Sequence, residues 1–479
     1  MNKKKCKFVK IKGLFSGGNM TLEEQVKALL EEIRILKEIN KKLEERILIQ
    51  DKRILDLEEE LRQSKISKNS SNSSKAPSTD IFNQKRNQSL REQTGKKTGG
   101  QLGHKGSYLK MTDTPDAIIK MEANYCNQCG FNLEEVTSEA HSKRQLIDIP
   151  PIQAKVTEYQ NCIKCCPKCG HKQQGGFPEG IKNHIQYGNN IEATVAYYSV
   201  YQYMPYKRLA QCLKQLFNID ISQGSIDNIL SRMSLKAEPV YQKIKENISH
   251  SEQVGSDETS VKVDGQKWWQ WVWQSAQETY ISVCQSRGSQ AIDEEFPNGL
   301  KRSILTTDRW AAQLKTEAKA HQLCIAHLLR DIEFLIQAEK NEWSIQLKQL
   351  FKSAIEKKKI CSQYIKENIE MIQLEQKLDI LLKSEIPKDK NPKTLALQKS
   401  LTKHRESILT FLYHAETPAD NNGSERAIRN VKVKQKISGQ FKIGQKRFSV
   451  LRSVIDTCIK RGIDILDALT AIANFVPAE

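Results

Sequence analysis

Three acidic residues carry the chemistry that this sequence most invites. Asp257 lies in Gly255-Ser-Asp-Glu-Thr259, Asp308 in Leu305-Thr-Thr-Asp-Arg309, and Glu425 in Asn421-Asn-Gly-Ser-Glu-Arg426. Carboxylates are hard oxygen donors. Mg²⁺ (or Mn²⁺) prefers such ligands, keeps several of its waters and binds substrate phosphate beside them. Two such ions, roughly 3.5–4 Å apart, can activate an attacking oxygen and stabilise a leaving one. Each acid also has an ordinary explanation. Asp257 could be a surface charge at a strand end, and Asp308 could cap the helix after it. Asn422 and Glu425 fit a capping box, in which the Glu bonds back to the cap. On spacing alone, Asp264, Asp331 and Asp420 are equal candidates.

The elements around these acids can be read from periodicity. Val254–Val263, Lys267–Gln274 and Thr279–Gln285 are β-rich, with Asp264-Gly265 as a hairpin turn between the first two. A short helix is expected from Ser289. Ser303–Thr307 is a short apolar run that suits a buried strand. Helices are expected from Ala311 to about Leu382 and again from near Leu395, with Pro387 and Pro392 punctuating the loop between them. Phe448–Phe475 reads as two helices broken at Gly462. One acid then lies on a first strand, one at the end of a neighbouring strand, and one at the start of a later helix. That is the layout of ribonuclease-H-like nucleases. Strand alternation puts Trp269, Trp271 and Trp273 on one face. Core packing is the ordinary reading for them, and stacking on an unpaired base is the alternative.

Cysteines offer a second chemistry. Cys126-x-x-Cys129-Gly and Cys166-Pro-x-Cys169-Gly are knuckles of the kind that places two thiolates on one tight turn. Four such sulfurs suit tetrahedral Zn²⁺ in a closed, structural site. Cys162 and Cys165 form a third pair at the same spacing and leave the ligand choice open, with Cys166 and Cys169 preferred. Ile147–Tyr159, between the knuckles, reads as strand.

Upstream, residues 22 to 61 hold an unbroken heptad pattern. Leu22, Leu29, Leu36, Leu43, Gln50 and Leu57 occupy d; Val26, Ile33, Asn40, Ile47, Ile54 and Leu61 occupy a. Leu at d with β-branched residues at a favours a parallel two-stranded coil, and Asn40 fixes its register. The stretch Lys68-Asn-Ser-Ser-Asn-Ser-Ser-Lys75 and the Gly/Lys-rich 95–106 cannot build a core and read as a flexible basic linker. Tyr206–Phe217 and a helix beginning near Gln223, capped by Ser222, resemble a helix-turn-helix.

Bulk properties agree with a polyanion partner. The chain has 479 residues, enough for about three or four domains, with 38% hydrophobic and 28% charged residues and a formal charge of +18. A basic surplus of that size favours nucleic acid. No window holds the roughly 18 apolar residues of a membrane span. The basic first twenty residues, broken at Lys10 and Lys12, do not form a secretory signal. A cytoplasmic, nucleoid-associated protein with reduced cysteines is expected. Met20, directly before the first helix, is an alternative start.

Taken in order, these features resemble the insertion-sequence-66 family of DDE transposases. The matching pieces are the zipper, the Lys68–Lys75 linker, Gly99-Gly-Gln-Leu-Gly-His-Lys-Gly106, the two knuckles and Arg144-Gln-Leu-Ile-Asp-Ile-Pro-Pro151. They continue with Gly255–Thr259, Thr307-Asp308-Arg309, Gln322-Leu-Cys-Ile-Ala-His-Leu-Leu-Arg-Asp331, Asn421-Asn-x-x-Glu-Arg426, Ser438-Gly439 and the Arg452–Leu469 helices. The resemblance implies an Asp257/Asp308/Glu425 triad holding two Mg²⁺ ions, and a ribonuclease-H-like core interrupted by a helical insertion. It also implies recognition of terminal inverted repeats in double-stranded DNA, and accessory proteins encoded by the same element. A Cys-x-x-His in the place of Cys324 and His327 supports the active site in related transposases; a buried Cys with a satisfied core His is the plain alternative. Arg330 is a candidate phosphate contact.

The expected fold is multidomain α+β. A tail (1–20) precedes a coiled-coil dimerisation helix (21–63), a basic linker (64–115), a zinc-ribbon-like domain (116–180) and a helical DNA-binding region (181–250). The core's first part (251–335), the helical insertion (336–404), the core's second part with Glu425 (405–436) and a C-terminal helical segment (437–479) complete it.

Overall fold

The structure, a computed structural model, describes residues 21–65, 103, 105, 109–138, 142–150, 152–360, 368–387, 391–441 and 444–475. The expected tail, and the linker apart from its ends and two isolated positions, lie outside the described residues.

Helix α1 runs unbroken from Leu22 to Lys65. Its heptad seam, including Val26, Ile33, Leu36, Leu43 and Leu57, is exposed along its length. Next come the cysteine turns. Strands β1 (Ile163–Cys165) and β2 (Lys172–Gln174) form a small antiparallel hairpin beside the second knuckle. The expected strand over Ile147–Tyr159 is absent among its described residues. Ile147, Ile149, Ile152 and Val156 are all exposed. The proline pair at 150–151 removes two ladder donors, and no apolar face is buried to compensate.

Four helical pieces follow. Helix α2 (Asn189–Ala196) passes into a π-helical turn, Tyr197–Tyr201. Helix α3 covers Tyr206–Phe217 and closes on Asn218 in the left-handed region (φ 54°). Helix α4 covers Gln223–His250, where Ser222 caps by accepting a hydrogen bond from the Ser225 N–H at 2.9 Å. Both helices match the sequence reading in place, and Ser222 is the cap expected for the second.

The sheet begins with an antiparallel meander of β3 (Gln253–Val263), β4 (Gln266–Gln274) and β5 (Thr279–Cys284). Asp264 and Gly265 take φ of 44° and 77°, the double left-handed turn that matches the twist of flanking strands. After α5 (Ser289–Glu295), β6 (Leu300–Thr307) pairs parallel to β3. After α6 (Ala311–Lys315), β7 (Ala318–Leu323) pairs parallel to β6. The order is β5-β4-β3-β6-β7. Strand β7 corrects the expectation of continuous helix from Ala311. Ala, Lys and Gln are good helix formers, but the open edge of β6 overrides that weak preference.

Beyond the sheet lie α7 (Ile325–Glu339), α8 (Glu342–Ile360), α9 (Ile369–Lys383) and α10 (Pro392–Lys403). They share a core of their own, built on Leu328, Leu347, Phe351, Leu378, Leu401 and Phe411. The chain then returns through α11 (Asn422–Ser438), α12 (Gln445–Arg461) and α13 (Ile465–Asn474). The break between the last two is Gly462, at φ 68°.

One large core crosses the boundaries expected from sequence. It joins Leu209, Met233 and Ile248 of the upstream helices to Trp271, Trp273 and Tyr280 of the sheet and to Leu451, Ile455 and Leu469 near the C-terminus. Trp271 and Trp273 are buried and stacked, their centroids 5.8 Å apart, as their alternation requires. On the opposite face α11 packs Ala427 and Ile428 against Val272 and Ile281.

Side chains from neighbouring elements reach backbone groups on both outer strands. On β5, the Thr279 and Ile281 N–H groups donate to Thr457 Oγ1 (3.2 Å) and Ser453 Oγ (2.9 Å) of α12. On β7, the His321 carbonyl accepts from Thr410 Oγ1 at 2.7 Å, and Gln322 exchanges bonds with the Phe411 N–H and the Ile408 carbonyl.

Candidate active site

The acids are brought together by strand register and by one close helix contact. The β3–β6 pairing sets Gln253, Val254 and Gly255 beside Ile304, Leu305 and Thr306. Continuing that register places Asp257 opposite Asp308, at the C-terminal mouth of the parallel pair. Asp257 shares its sheet face with Val272, its partner on β4, and that is the face that receives α11.

Two glycines let α11 approach. A Cβ on Gly255 would stand 2.7 Å from Asn421 Oδ1, Gln274 Nε2 and Ser424 Oγ at once. A Cβ on Gly423 would fall inside 3 Å of the Gln274 side-chain amide. Glycine at both positions lets the first turn of α11 sit on the strands. Asn421 then fastens the contact. Its Nδ2 donates to the Ser256 carbonyl at 2.7 Å, and its backbone N–H donates to Cys324 Sγ at 3.2 Å. The segment before α11 is tied down as well, with the Ile325 N–H on the Ala419 carbonyl at 2.9 Å. Lys358 of α8 donates to the carbonyls of Phe411, His414 and Ala415 at 2.8, 2.6 and 3.0 Å.

His327, on α7, bridges two of the acids. Its Nδ1 lies 2.9 Å from Asp308 Oδ1 and 3.3 Å from Cys324 Sγ, and its Nε2 lies 3.7 Å from Glu425 Oε1. Arg330, one turn along, places Nη1 3.5 Å from Glu425 Oε1 and 3.1 Å from His327 Nε2. So all six residues expected at the site meet in one place. Of the rival acids, Asp264 sits in the hairpin turn, Asp331 pairs with Arg309, and Asp420 accepts the Asn422 N–H. The capping box does not form. The cap of α11 is Asn421, whose side chain bonds no N–H of the helix, and Glu425 points instead to His327 and Arg330.

The electrostatics are those of crowded carboxylates. Burial, then the charges of Asp308 and Glu258, hold the Asp257 carboxyl well above the usual carboxylate range. Burial would lower His327, but its hydrogen bonds to Asp308 and Cys324 and their charges outweigh that and push it up to about 11. The short Arg330 contact at Nε2 would need that nitrogen unprotonated. The imidazolium faces two carboxylates, Asp308 at 2.9 Å and Glu425 at 3.7 Å, and is the better assignment; Glu425 Oε1, 3.5 Å from Arg330, stays a buried acceptor with no hydrogen bond. A raised histidine pKa adds stability below the unfolded value of 6.5 and loses it as pH rises toward 11. Without divalent ion, the urea-midpoint advantage of the wild type over His327→Gln should therefore shrink steadily across that interval. A pH-independent difference would show that His327 is neutral throughout.

The sequence reading missed a layer beneath Asp257. Glu258, on the other face of β3, accepts from Arg287 Nε and Nη2 at 2.9 and 2.7 Å, and from Gln313 Nε2 at 3.0 Å. The Arg287 guanidinium is held between Trp310 (3.7 Å) and Trp269 (4.7 Å). Arg287 so neutralises the nearest extra charge to Asp257. A glycine inside a strand signals close backbone approach, and Gly255 was the readable sign of the α11 contact on the opposite face. Arg287 left no local signal.

Donor atoms that suit a metal can be stated for the described residues. Asp308, Cys324 and His327 offer one ligand atom each within 4.8 Å of one another. No other group of three or more such residues gathers so closely, so the cysteine knuckles stand as separate pairs. Each knuckle is formed. The Cys126 N–H bonds the Phe131 carbonyl and the Gly130 N–H bonds the Cys126 carbonyl; Cys166, His171 and Gly170 repeat the pattern. Backbone N–H groups from Gln128 and Cys129 lower the Cys126 thiol, and those from Cys169 and Lys168 lower Cys166. None of the described helices is long and apolar enough to cross a membrane.

A family model described as "Transposase IS66 family" matches residues 184–446, more than half of the chain. A second, described as a family of unknown function (DUF6444), matches residues 19–110. No curated protein matches the chain.

Proposed function

Since the chain belongs to the IS66 family of transposases, we propose that it cuts and joins DNA at a site formed by Asp257, Asp308 and Glu425. One observation carries this reading: three acids far apart in sequence meet at the mouth of β3 and β6, with His327 between two of them. The strand order, with a helix returning to the first strand, supports a ribonuclease-H-like core, and α8–α10 form its helical insertion.

The site fits hard divalent cations, Mg²⁺ or Mn²⁺. Asp257 is crowded by like charge, and Glu425 Oε1 is a buried acceptor without a hydrogen bond; a cation relieves both. Such ions would polarise the scissile phosphate and the attacking oxygen when bound. The chain's own residues do the rest. Asp257 and Asp308 are fixed by paired strands, and Glu425 is fixed by the glycine-mediated seat of α11. His327 and Arg330 hold Glu425 and Asp308 in orientation. Arg330 also presents a cation to a phosphate oxygen. The test is cleavage and strand transfer on labelled end substrates with and without Mg²⁺. Metal-independent products, or none with either ion, would end the proposal.

The remaining parts follow from the same reading. Double-stranded DNA, as element ends and as target, is the partner. The α3–α4 pair and the basic linker grip it through phosphates, and accessory proteins of the element complete the assembly. Cys126, Cys129, Cys166 and Cys169 hold structural Zn²⁺ once the two preformed turns come together. The protein works in the cytoplasm at the nucleoid.

Two protomers pair through α1, with Asn40 opposite Asn40 setting register. Charging the seam with Leu36→Glu and Leu43→Glu should convert a dimer to a monomer in sedimentation. Joining of paired ends should be lost with it, while single-end nicking persists. A dimer that survives both changes places the interface elsewhere.

A further inference from the structure

We propose that the outer face of α11 is a track for the DNA backbone that leads away from the cleavage site. At 100° per residue, positions 422, 426, 429, 433 and 436 fall within an arc of about 80°. In this chain they are Asn422, Arg426, Arg429, Val433 and Lys436. Glu425 lies at the margin of the same arc. Arg426, Arg429 and Lys436 are exposed, and among the described residues none of them has an ion-pair or hydrogen-bond partner.

The helix gains nothing from these charges on its own account. It carries five cations (Arg426, Arg429, Lys432, Lys434, Lys436) against one acid, Glu425. Arg426 and Arg429 repel each other at a spacing of three. The two inner lysines are already used, Lys432 on the Ser260 carbonyl and Lys434 on the Ser199 carbonyl. Only the three outer cations lack a task within the described fold. They span about 15 Å along the helix axis, the rise of about four base pairs. The occupant that matches an unpaired basic stripe starting beside a phosphodiester-cutting site is the sugar-phosphate backbone flanking the cut. This inference rests on the proposed function for the identity of that occupant.

The experiment measures DNA affinity of the full, zinc-loaded chain without added Mg²⁺ or Mn²⁺ and without chelator, so that no cutting is needed. A labelled 40-base-pair duplex of arbitrary sequence serves as probe, since phosphate contacts are sequence-independent. Each lost phosphate contact lowers the salt slope of log K by about 0.9. Arg426→Gln/Arg429→Gln/Lys436→Gln should lose two to three units of slope, and at least tenfold in affinity at low salt. A control variant, Lys377→Gln/Lys399→Gln/Lys403→Gln, removes the same charge from the helical insertion and should keep the slope. An unchanged slope in the α11 variant overturns the track, and so does an equal loss in both variants. Should the triple variant misfold, Arg429→Gln alone should lose about one unit, and no loss there counts against the track. A null result leaves the carboxylate site standing, because cleavage by Asp257, Asp308 and Glu425 is read in a separate assay.

Discussion

Asp257→Asn should abolish DNA cleavage and at the same time raise the melting temperature. The two effects share one cause. Burial and the charges of Asp308 and Glu258 lift the Asp257 carboxyl well above its unfolded value of 3.8. A carboxyl with a raised folded pKa opposes folding once pH exceeds the unfolded value, and the opposition grows until pH passes the folded value. Asparagine keeps the shape and removes the charge, so the fold gains. The same change removes a hard ligand. Loss of a metal's contribution to charge stabilisation is worth several kcal/mol, or about 10³-fold in rate. Mg²⁺ should raise the melting temperature of the wild type through selective binding to the native state, and should leave the variant unmoved. Asp308→Asn should behave alike in cleavage. A variant at Asp257 that still cuts DNA, or that melts lower and still responds to Mg²⁺, removes this acid from the site. Such a gain in stability at the cost of activity is the usual signature of a functional cluster.

Gly255→Ala should be nearly as damaging to cleavage without touching any charge. The added methyl meets Asn421 Oδ1, Gln274 Nε2 and Ser424 Oγ at 2.7 Å. These are side-chain ends, but they cannot all withdraw. Asn421 is bonded to the Ser256 carbonyl, and Gln274 Oε1 accepts from Lys460 at 2.8 Å. Overpacking of this kind costs about 1–3 kcal/mol. Relief comes by lifting the first turn of α11, which carries Glu425. A shift of about 1 Å at a reacting centre costs about 10²-fold in rate. Cleavage should therefore fall far more than the fraction of folded protein, measured by near-UV dichroism on the same sample. Full activity in Gly255→Ala would mean that Glu425 is not positioned by this contact.

These two residues mark how much the sequence disclosed. Asp257 and Asp308 could be placed because β3 and β6 are local runs of β-forming residues, and the ends of such runs are visible in the pattern. Glu425 could be set at a helix start. Their convergence could not be read from spacing, since the parallel pairing of β3 with β6 and the docking of α11 depend on contacts between distant segments. The resemblance supplied that step. Strand β7 was misread because its residues favour helix, and only the neighbouring strand makes it extended. Arg287 escaped notice because its two tryptophans and its glutamate come from three separate elements. The exposed isoleucines near the proline pair failed in the other direction, as an apolar alternation with no surface to bury it.

The side chains that occupy the rims of the sheet have a consequence for how copies of this protein can meet. Open strand rims invite a second chain to add on, and proteins that work at high local density on a polymer are exposed to that hazard. Here Ser453 and Thr457 on one flank, and Thr410 on the other, already occupy backbone groups that an incoming strand would use. Strand addition at either rim would have to displace these bonds first. That leaves the long uncovered apolar seam of α1, among the described residues, as the surface on which the proposed pairing rests.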